Sequence, residues 1–371
     1  MACDKFKGSL TASQVMAAVT GGLRDVAPAV DVRSTLVADG GDGTLEAVRS
    51  AGFTLLPVTV TGPTGRPVDT HYATNGDTAV VEMADACGLV RLPGGELAPL
   101  TASSRGLGEV VGAVLDAGIR RIVIGVGGSA STDGGAGMLS ALGARLLDDA
   151  GRDLRDGGGA LSELTTVDLT GLHPGLAQAE LTLASDVDNP LLGHRGAVAV
   201  FSAQKGAGWR EQQLLERGLS RLAEVLTDHT GGDAAGLAGA GAAGGVGFAA
   251  QALLGARFQS GIEFLLQVIG FDEVVAGAAL VVTGEGYLDR QTLSGKTPFG
   301  VATAARVAGA PVVAVCGGSD LDDADLADIG IKQVFRLSDL EPDLERCMSA
   351  AGPLLRQAAR LVARRWLHPM S

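Results

Sequence analysis

RIVIGVGGSASTDGGAGMLSALGARLLD, residues 121–148, decides the fold class. Its first eight residues form an apolar run closed by glycines, which predicts a buried strand and its exit loop. STDGGAG reads as a turn. MLSALGARLLD carries apolar residues at helical spacing and predicts a helix. A strand that leaves through a glycine loop into a helix is one unit of an α/β fold. The alternation recurs at AALVVTGEG, residues 278–286, followed by DRQTLSGKTP, the helix VATAARVAG and a further buried strand, PVVAVCGG, at 311–318. In open α/β sheets, ligands collect where such loops leave the carboxyl ends of strands.

Further helices are predicted over Ser13–Val26, Ser103–Ala117, Glu211–Leu226 and Pro353–Trp366. Residues 228–247, DHTGGDAAGLAGAGAAGGVG, have the composition of a flexible linker. The helical patterning of GFAAQALLGARF behind them favours a loop that brings GAAGG close to a ligand or to another backbone. No internal repeat is present.

A chain of 371 residues suits two domains, each with its own core. Hydrophobic residues make up 46%, aromatic residues 4%, and 56 positions are glycine, so small aliphatic cores beneath tight loops are expected. This composition fits an α/β enzyme. A net charge of -13 argues against a nucleic-acid or anionic-membrane partner. Cys3, Cys87, Cys316 and Cys347 are scattered and show neither zinc-ligand spacing nor a disulfide framework, so they read as reduced cytosolic thiols. The longest apolar runs are strand-sized, and a soluble, cytoplasmic protein is expected.

Five lysines stand against twenty-four arginines, and four of the five lie in glycine-punctuated loops: Lys5 and Lys7 in CDKFKGS, Lys205 in AQKGAG, Lys296 in SGKTP. A compact ammonium kept beside glycine, where the backbone passes close to a ligand, points to phosphate chemistry.

Four loops carry candidate chemistry. In GVGGSASTDGGAG, Gly127, Gly128 and Ser129 offer backbone amides to a phosphate, Thr132 adds a hydroxyl, and Asp133 offers a carboxylate to magnesium or to an incoming hydroxyl. A tight turn packing helix on sheet is the structural alternative. The same string also matches GxGxxA through Gly125, Gly127 and Ala130, with Asp148 downstream, which keeps a dinucleotide-binding dehydrogenase open. TGEGYLDRQTLSGKTP ends like a phosphate-binding P-loop, but Arg290 stands where that motif needs glycine. It still presents Glu285, Asp289 and Lys296, the last at a helix start where an anion is favoured. VADGGDGTLEAV, at the end of the predicted strand STLVA, places Asp39 and Asp42 around a glycine pair, as metal or proton carriers or as turn and cap residues. LASDVDNPLLG crowds Asp186, Asp188 and Asn189, either a cation- or hydroxyl-binding cluster holding a general base or an Asx turn. The five histidines show no ligand spacing and receive no role.

Taken in order, CDKFKGSLTA, ADGGDGT, GVGGSASTDGG, SDVDNPL, AQKGAG, GAAGGVG and TGEGYLDRQTLSGKTPFGVA resemble the motif series of the bacterial glycerate kinase family, over nearly the whole chain. The resemblance implies two α/β domains, one flavodoxin-like and one with a restriction-endonuclease-like sheet, with the active site in the cleft between them. The expected division is 1–61 plus 285–371 for the first domain, with 62–284 inserted as the second. It further implies ATP and Mg2+, D-glycerate as acceptor and 2-phosphoglycerate as product, and it leaves a homodimer open. In that frame Lys7, Asp39, Asp186 and Asp188 are the catalytic candidates, and Lys5, Ser9, Asn189 and Lys205 would bind substrate. Gly127, Gly128, Ser129, Thr132, Glu285 and Lys296 would hold the nucleotide, and Asp42, Asp133 and Asp289 the metal. A non-catalytic sensor of phosphorylated metabolites is the remaining alternative. One departure stands out: members of this family begin with an apolar strand leading into the first lysine loop, and this chain starts at Met1-Ala2-Cys3-Asp4, so that strand is expected to be missing.

Overall fold

The computed structural model describes residues 1–38, 40–41 and 43–367, and for Ser294 the backbone alone. Asp39 and Asp42 therefore lie outside the described residues. The chain divides into two compact units, residues 1–39 with 262–371, and residues 40–261. These limits differ from the expected 61/62 and 284/285. Thr54–Thr61 pairs along its whole length with Pro67–Thr74, which places it in the second unit's sheet. A break after 284 would cut the strand Val281–Leu288, a central strand of the first unit's sheet.

The first unit holds a four-stranded parallel sheet in the order Ala2–Cys3, Val281–Leu288, Val312–Ser319, Ile331–Arg336. The expectation of a missing first strand is corrected here. Ala2 and Cys3 are fully buried and pair with Thr283 and Gly284, so the edge beside Thr283 is covered, though by two residues. STLVA, by contrast, joins no strand; Thr35 N donates to the Met1 carbonyl and the segment has no regular secondary structure. Helices Ala12–Val26 and Ala351–Trp366 pack against one another, and their apolar faces join Val282, Val313 and Val315 in one core. The earlier helix starts at a capping box in which Thr11 and Gln14 satisfy each other's backbone amides. Its close approach to the later one depends on Gly22: a Cβ there would lie 2.2 Å from the Arg356 carbonyl oxygen and 2.6 Å from the Ala359 Cβ.

The second unit is built on a six-stranded mixed sheet, in the order Thr54–Thr61, Pro67–Thr74, Thr78–Glu82, Arg121–Gly125, Glu180–Ala184, Arg257–Gln259. The first three strands form an antiparallel meander, and the last four run parallel. Arg105–Asp116, Ala136–Ala141, Trp209–Thr230 and Ala242–Leu254 supply the main helices around its core. The helix expected to continue through 148 stops at Ala141, because Gly143 takes a φ of 101° and the chain turns into the strand Arg145–Leu147, paired with Thr166–Asp168. The low-complexity stretch is no linker. The helix before it runs to Thr230, and Ala243, Gly244 and Gly245 take left-handed conformations at the start of the next. Gly244 there meets the 131–134 turn: its carbonyl accepts from Gly134 N, and a Cβ on it would lie 2.2 Å from the Ser131 carbonyl oxygen. Of the two readings of GAAGG, the structure gives approach to another backbone.

Candidate functional site

In the second unit four strand ends lie in register: Glu82 opposite Gly125, Gly125 opposite Ala184, and Ala184 opposite Gln259. Because these strands are parallel, the chain leaves all four at one sheet edge, the edge where α/β sheets bind ligands. Glycines let the exit loops touch backbone to backbone. Gly40 has a φ of 82°, and a Cβ there would meet the Ala184 carbonyl oxygen at 2.5 Å. A Cβ on Gly127 would meet Gly41 Cα at 2.4 Å. Gly40 and Gly41, the GVGGS segment at 125–129 and the strand end that leads into SDVD at 185–188, far apart in sequence, thus converge on one rim.

Within that rim Gly128 is exposed and Gly127 half-buried. The loop is pinned from one side, where Leu89 N donates to the Gly128 carbonyl and Ala130 N to the Cys87 carbonyl. The amides of Gly128 and Ser129 donate to no acceptor among the described residues. Adjacent free amides on a glycine loop are an anion-binding arrangement. Ser129 and Thr132, expected at the nucleotide, are almost wholly buried beneath that surface.

Two candidates at this loop are engaged by its own packing. Asp133 was a candidate metal ligand, but it is fully buried and its Oδ2 accepts from Ser104 N at 2.8 Å, Ser104 Oγ at 2.8 Å and Gly137 N at 3.2 Å, with Gly135 N on Oδ1. A carboxylate so surrounded organises the starts of two helices. Lys205 was a candidate substrate contact, but it is 2% exposed, and its Nζ donates to Ser129 Oγ at 2.7 Å and to the Ser131 carbonyl. Burial pulls its pKa down to about 7, against the opposing pull of Asp133.

The Asp186 cluster separates. Asp186 Oδ1 accepts from Ser260 Oγ at 2.9 Å and Gly261 N at 2.8 Å, which fixes it against the loop after the last strand. Asp188 is exposed and pairs with Arg195 at 3.0 Å, and Asn189 Nδ2 donates to the Arg195 carbonyl, so these two hold their own loop. Glu82, which the sequence reading passed over, is 5% exposed and accepts from Gly43 N and Leu45 N at the start of the helix Thr44–Ser50. Its signal was an acidic residue closing the apolar run TAVVE.

In the first unit the remaining candidates lie at the corresponding ends of their strands. Lys5, Lys7 and Ser9 follow Ala2–Cys3, and Gly286 lies beside this loop: a Cβ there would be 3.3 Å from Lys7 N. Lys7 is exposed and has no ion pair among the described residues; Ser9 Oγ donates to the Phe6 carbonyl. Glu285 Oε1 accepts from Thr292 Oγ1 at 2.6 Å, Asp289 Oδ1 accepts from Thr292 N, and Lys296 Nζ pairs with Asp289 at 3.2 Å. Lys296 is the N-cap residue of Thr297–Val307, where the helix dipole favours an anion. Among the described residues no group of three or more His, Cys, Asp or Glu side chains is arranged to hold a metal ion. A cavity of about 320 Å³, lined mainly by apolar residues such as Leu23, Val32, Phe271 and Val275, lies at the opposite, amino end of the strands.

The dinucleotide reading fails on backbone geometry. A dinucleotide fold needs a helix to open directly behind GxGxxA, whereas here a turn through Gly134 and Gly135, both at positive φ, delays the helix to Ala136. Asp148 sits in a hairpin turn, held by Arg152.

Known proteins agree with the motif order. The family model described as "Glycerate kinase family" matches residues 1–367. A glycerate kinase from Bacillus subtilis is 42% identical over 98% of this chain and 96% of its own length. A glycerate 2-kinase from Escherichia coli K12 is 40% identical with the same coverage. A crystal structure of a candidate glycerate kinase 2 from Salmonella typhimurium LT2 superposes with a TM-score of 0.80 at 40% identity, covering 98% of this chain and 96% of that one. With the family model spanning all but the last four residues, and relatives at this identity over full length, the chain belongs to the glycerate kinase family.

Proposed function

We propose that this chain transfers the γ-phosphoryl group of ATP to a hydroxyl of D-glycerate, with 2-phosphoglycerate as product. The observation that carries the reading is the Gly127–Ser129 loop, with Gly128 exposed and the Gly128 and Ser129 amides unaccepted among the described residues, at the shared carboxyl edge of four parallel strands, in a chain of this family. Phosphoryl transfer needs positioning and charge neutralisation more than covalent chemistry, which fits a site without a catalytic histidine.

The donor set suits magnesium bound together with a nucleotide, since such a site uses one or two protein carboxylates and takes its other ligands from phosphates and water. Asp289 meets that need: Lys296 and backbone amides engage its Oδ1, and no hydrogen bond to Oδ2 is formed among the described residues. Asp42 is the second candidate on sequence grounds. Bound with ATP, magnesium neutralises phosphate charge. The protein's own residues then have distinct tasks. Lys296 supports phosphate charge at its helix start, while Lys7, with Lys5 and Ser9 on the same loop, binds the glycerate carboxylate. Asp186, held rigid through Ser260 and Gly261, orients the attacking hydroxyl and takes its proton, a role Asp39 shares as candidate.

The test supplies ATP, magnesium and D-glycerate and follows ADP release together with the phosphorus spectrum of the product. Phosphate on the C2 oxygen couples to one proton, and phosphate on the C3 oxygen to two, so the signal is a doublet for the proposed product. A triplet moves the reaction to the other hydroxyl. ADP formed with another hydroxy acid but not with glycerate discards the substrate, and no ADP with any acceptor discards the kinase reading.

A further inference from the structure

Lys205 reaches the Gly127–Ser131 loop from a distant segment. It ends the short turn Ala203–Lys205, and Gly206, at a φ of 92°, reverses the chain behind it. The side chain is buried, so it touches no solute, yet it engages the loop at two points, the Ser129 hydroxyl and the Ser131 carbonyl. The opposite side of the same loop is fastened through the Gly128 carbonyl and the Ala130 amide. The free amides of Gly128 and Ser129 belong to the same few residues as these fastenings. Ser131 Oγ and Thr132 Oγ1, both buried, have no hydrogen-bond partner among the described residues, which thus give the loop no further polar anchor through them.

A buried amine is an expensive way to stabilise a fold, because an apolar side chain of the same length fills the space without desolvating a charge. Its presence calls for a geometric task. We infer that Lys205 is the positioning residue of the phosphate-binding loop, holding Ser129 and Ser131 so that the amides of Gly128 and Ser129 stay presented to an anion. This rests on the reading of that loop as a phosphate site, and it gives Lys205 a role that acts through the loop and not on the substrate.

The test compares wild type with Lys205→Met, which keeps the length and removes the donor, and with Ser129→Ala, which removes one acceptor; Gly128→Val serves as the control that disrupts the loop itself. Amide hydrogen exchange of peptides covering 127–131 is measured without ligand, and steady-state kinetics give KM for ATP and for D-glycerate separately. The expected result for Lys205→Met is faster exchange confined to 127–131 and a KM for ATP raised about tenfold or more, with the KM for glycerate little changed. Ser129→Ala moves both readouts in the same direction by less. If Lys205→Met fails to fold, Ser129→Ala carries the test alone. Unchanged exchange and an unchanged KM for ATP in the variants that fold, while Gly128→Val raises that KM, overturn the role of Lys205 and leave the phosphate loop standing. No effect from Gly128→Val overturns the loop reading itself.

Discussion

At the scale of single residues, the buried amine of Lys205 makes stability depend on pH in a direction that can be worked out. Its ordinary pKa of 10.5 falls to about 7 because burial penalises the charge. Below that value the folded and unfolded chains both hold the proton, and the penalty stands in full. Between about 7 and 10.5 the unfolded chain keeps a proton the folded chain has lost, so this group makes stability rise with pH. Lys205→Met abolishes that contribution. The melting temperature of the variant should therefore exceed that of wild type near pH 6, and the gap should close toward pH 10. Parallel curves would refute the assignment. The sequence placed a lysine beside glycine but gave no sign of its depth, because what buries Lys205 is packing between segments more than seventy residues apart. The burial of Asp133 is hidden for the same reason: its amide and hydroxyl donors come from Ser104 as well as from its own turn. The glycine and strand-exit context of Gly127, Gly128 and Asp186, by contrast, is local, and the structure does place all three in the loops that follow parallel strands.

At the scale of elements, close backbone contacts set by glycine decide which helices and loops can meet. Ala12–Val26 and Ala351–Trp366 share the first unit's core, and Gly22 is where they approach. Gly22→Ala should lower stability by about 1–3 kcal/mol, the range for overpacking a well-filled contact, read as a reduced urea midpoint with an unchanged slope. Gly244 works between loops. At a φ of 65° it disfavours any side chain, and a Cβ would press on the Ser131 carbonyl that Lys205 also engages. Gly244→Ala should therefore lower kcat/KM for ATP more than it lowers the melting temperature; equal loss in Gly241→Ala, which instead abuts Pro190, would remove the special link to the 131–134 turn. Four of the longer helices were readable from apolar periodicity: Ala12–Val26, Arg105–Asp116, Trp209–Thr230 and Ala351–Trp366 occupy the predicted segments. The helix drawn through residue 148 was not, since Leu146 and Leu147 fit a helix stripe and a short strand equally well, and the choice fell to Gly143 and to a pairing partner twenty residues away.

At the scale of the whole molecule, two domains were expected from length and an inserted second domain from the resemblance; the position of the joints depends on which sheet each strand joins. That choice is invisible locally, because Thr54–Thr61 is an alternating strand whichever neighbour it takes. The division has a mechanical consequence. Residues 40–261 are one continuous segment with their own six-stranded sheet and their own core, whereas the first unit is assembled from two separated pieces. The segment 40–261 should therefore fold when expressed alone. Cys87 is the sole cysteine within it, fully buried, with its thiol pushed up to about 12 by desolvation. The isolated segment should melt cooperatively by circular dichroism, and Cys87 should react with a thiol reagent in denaturant but stay protected in native buffer. A thiol titrated at once in native buffer, together with a melt lacking a transition, would mean that residues 40–261 need the flanking chain to close their core.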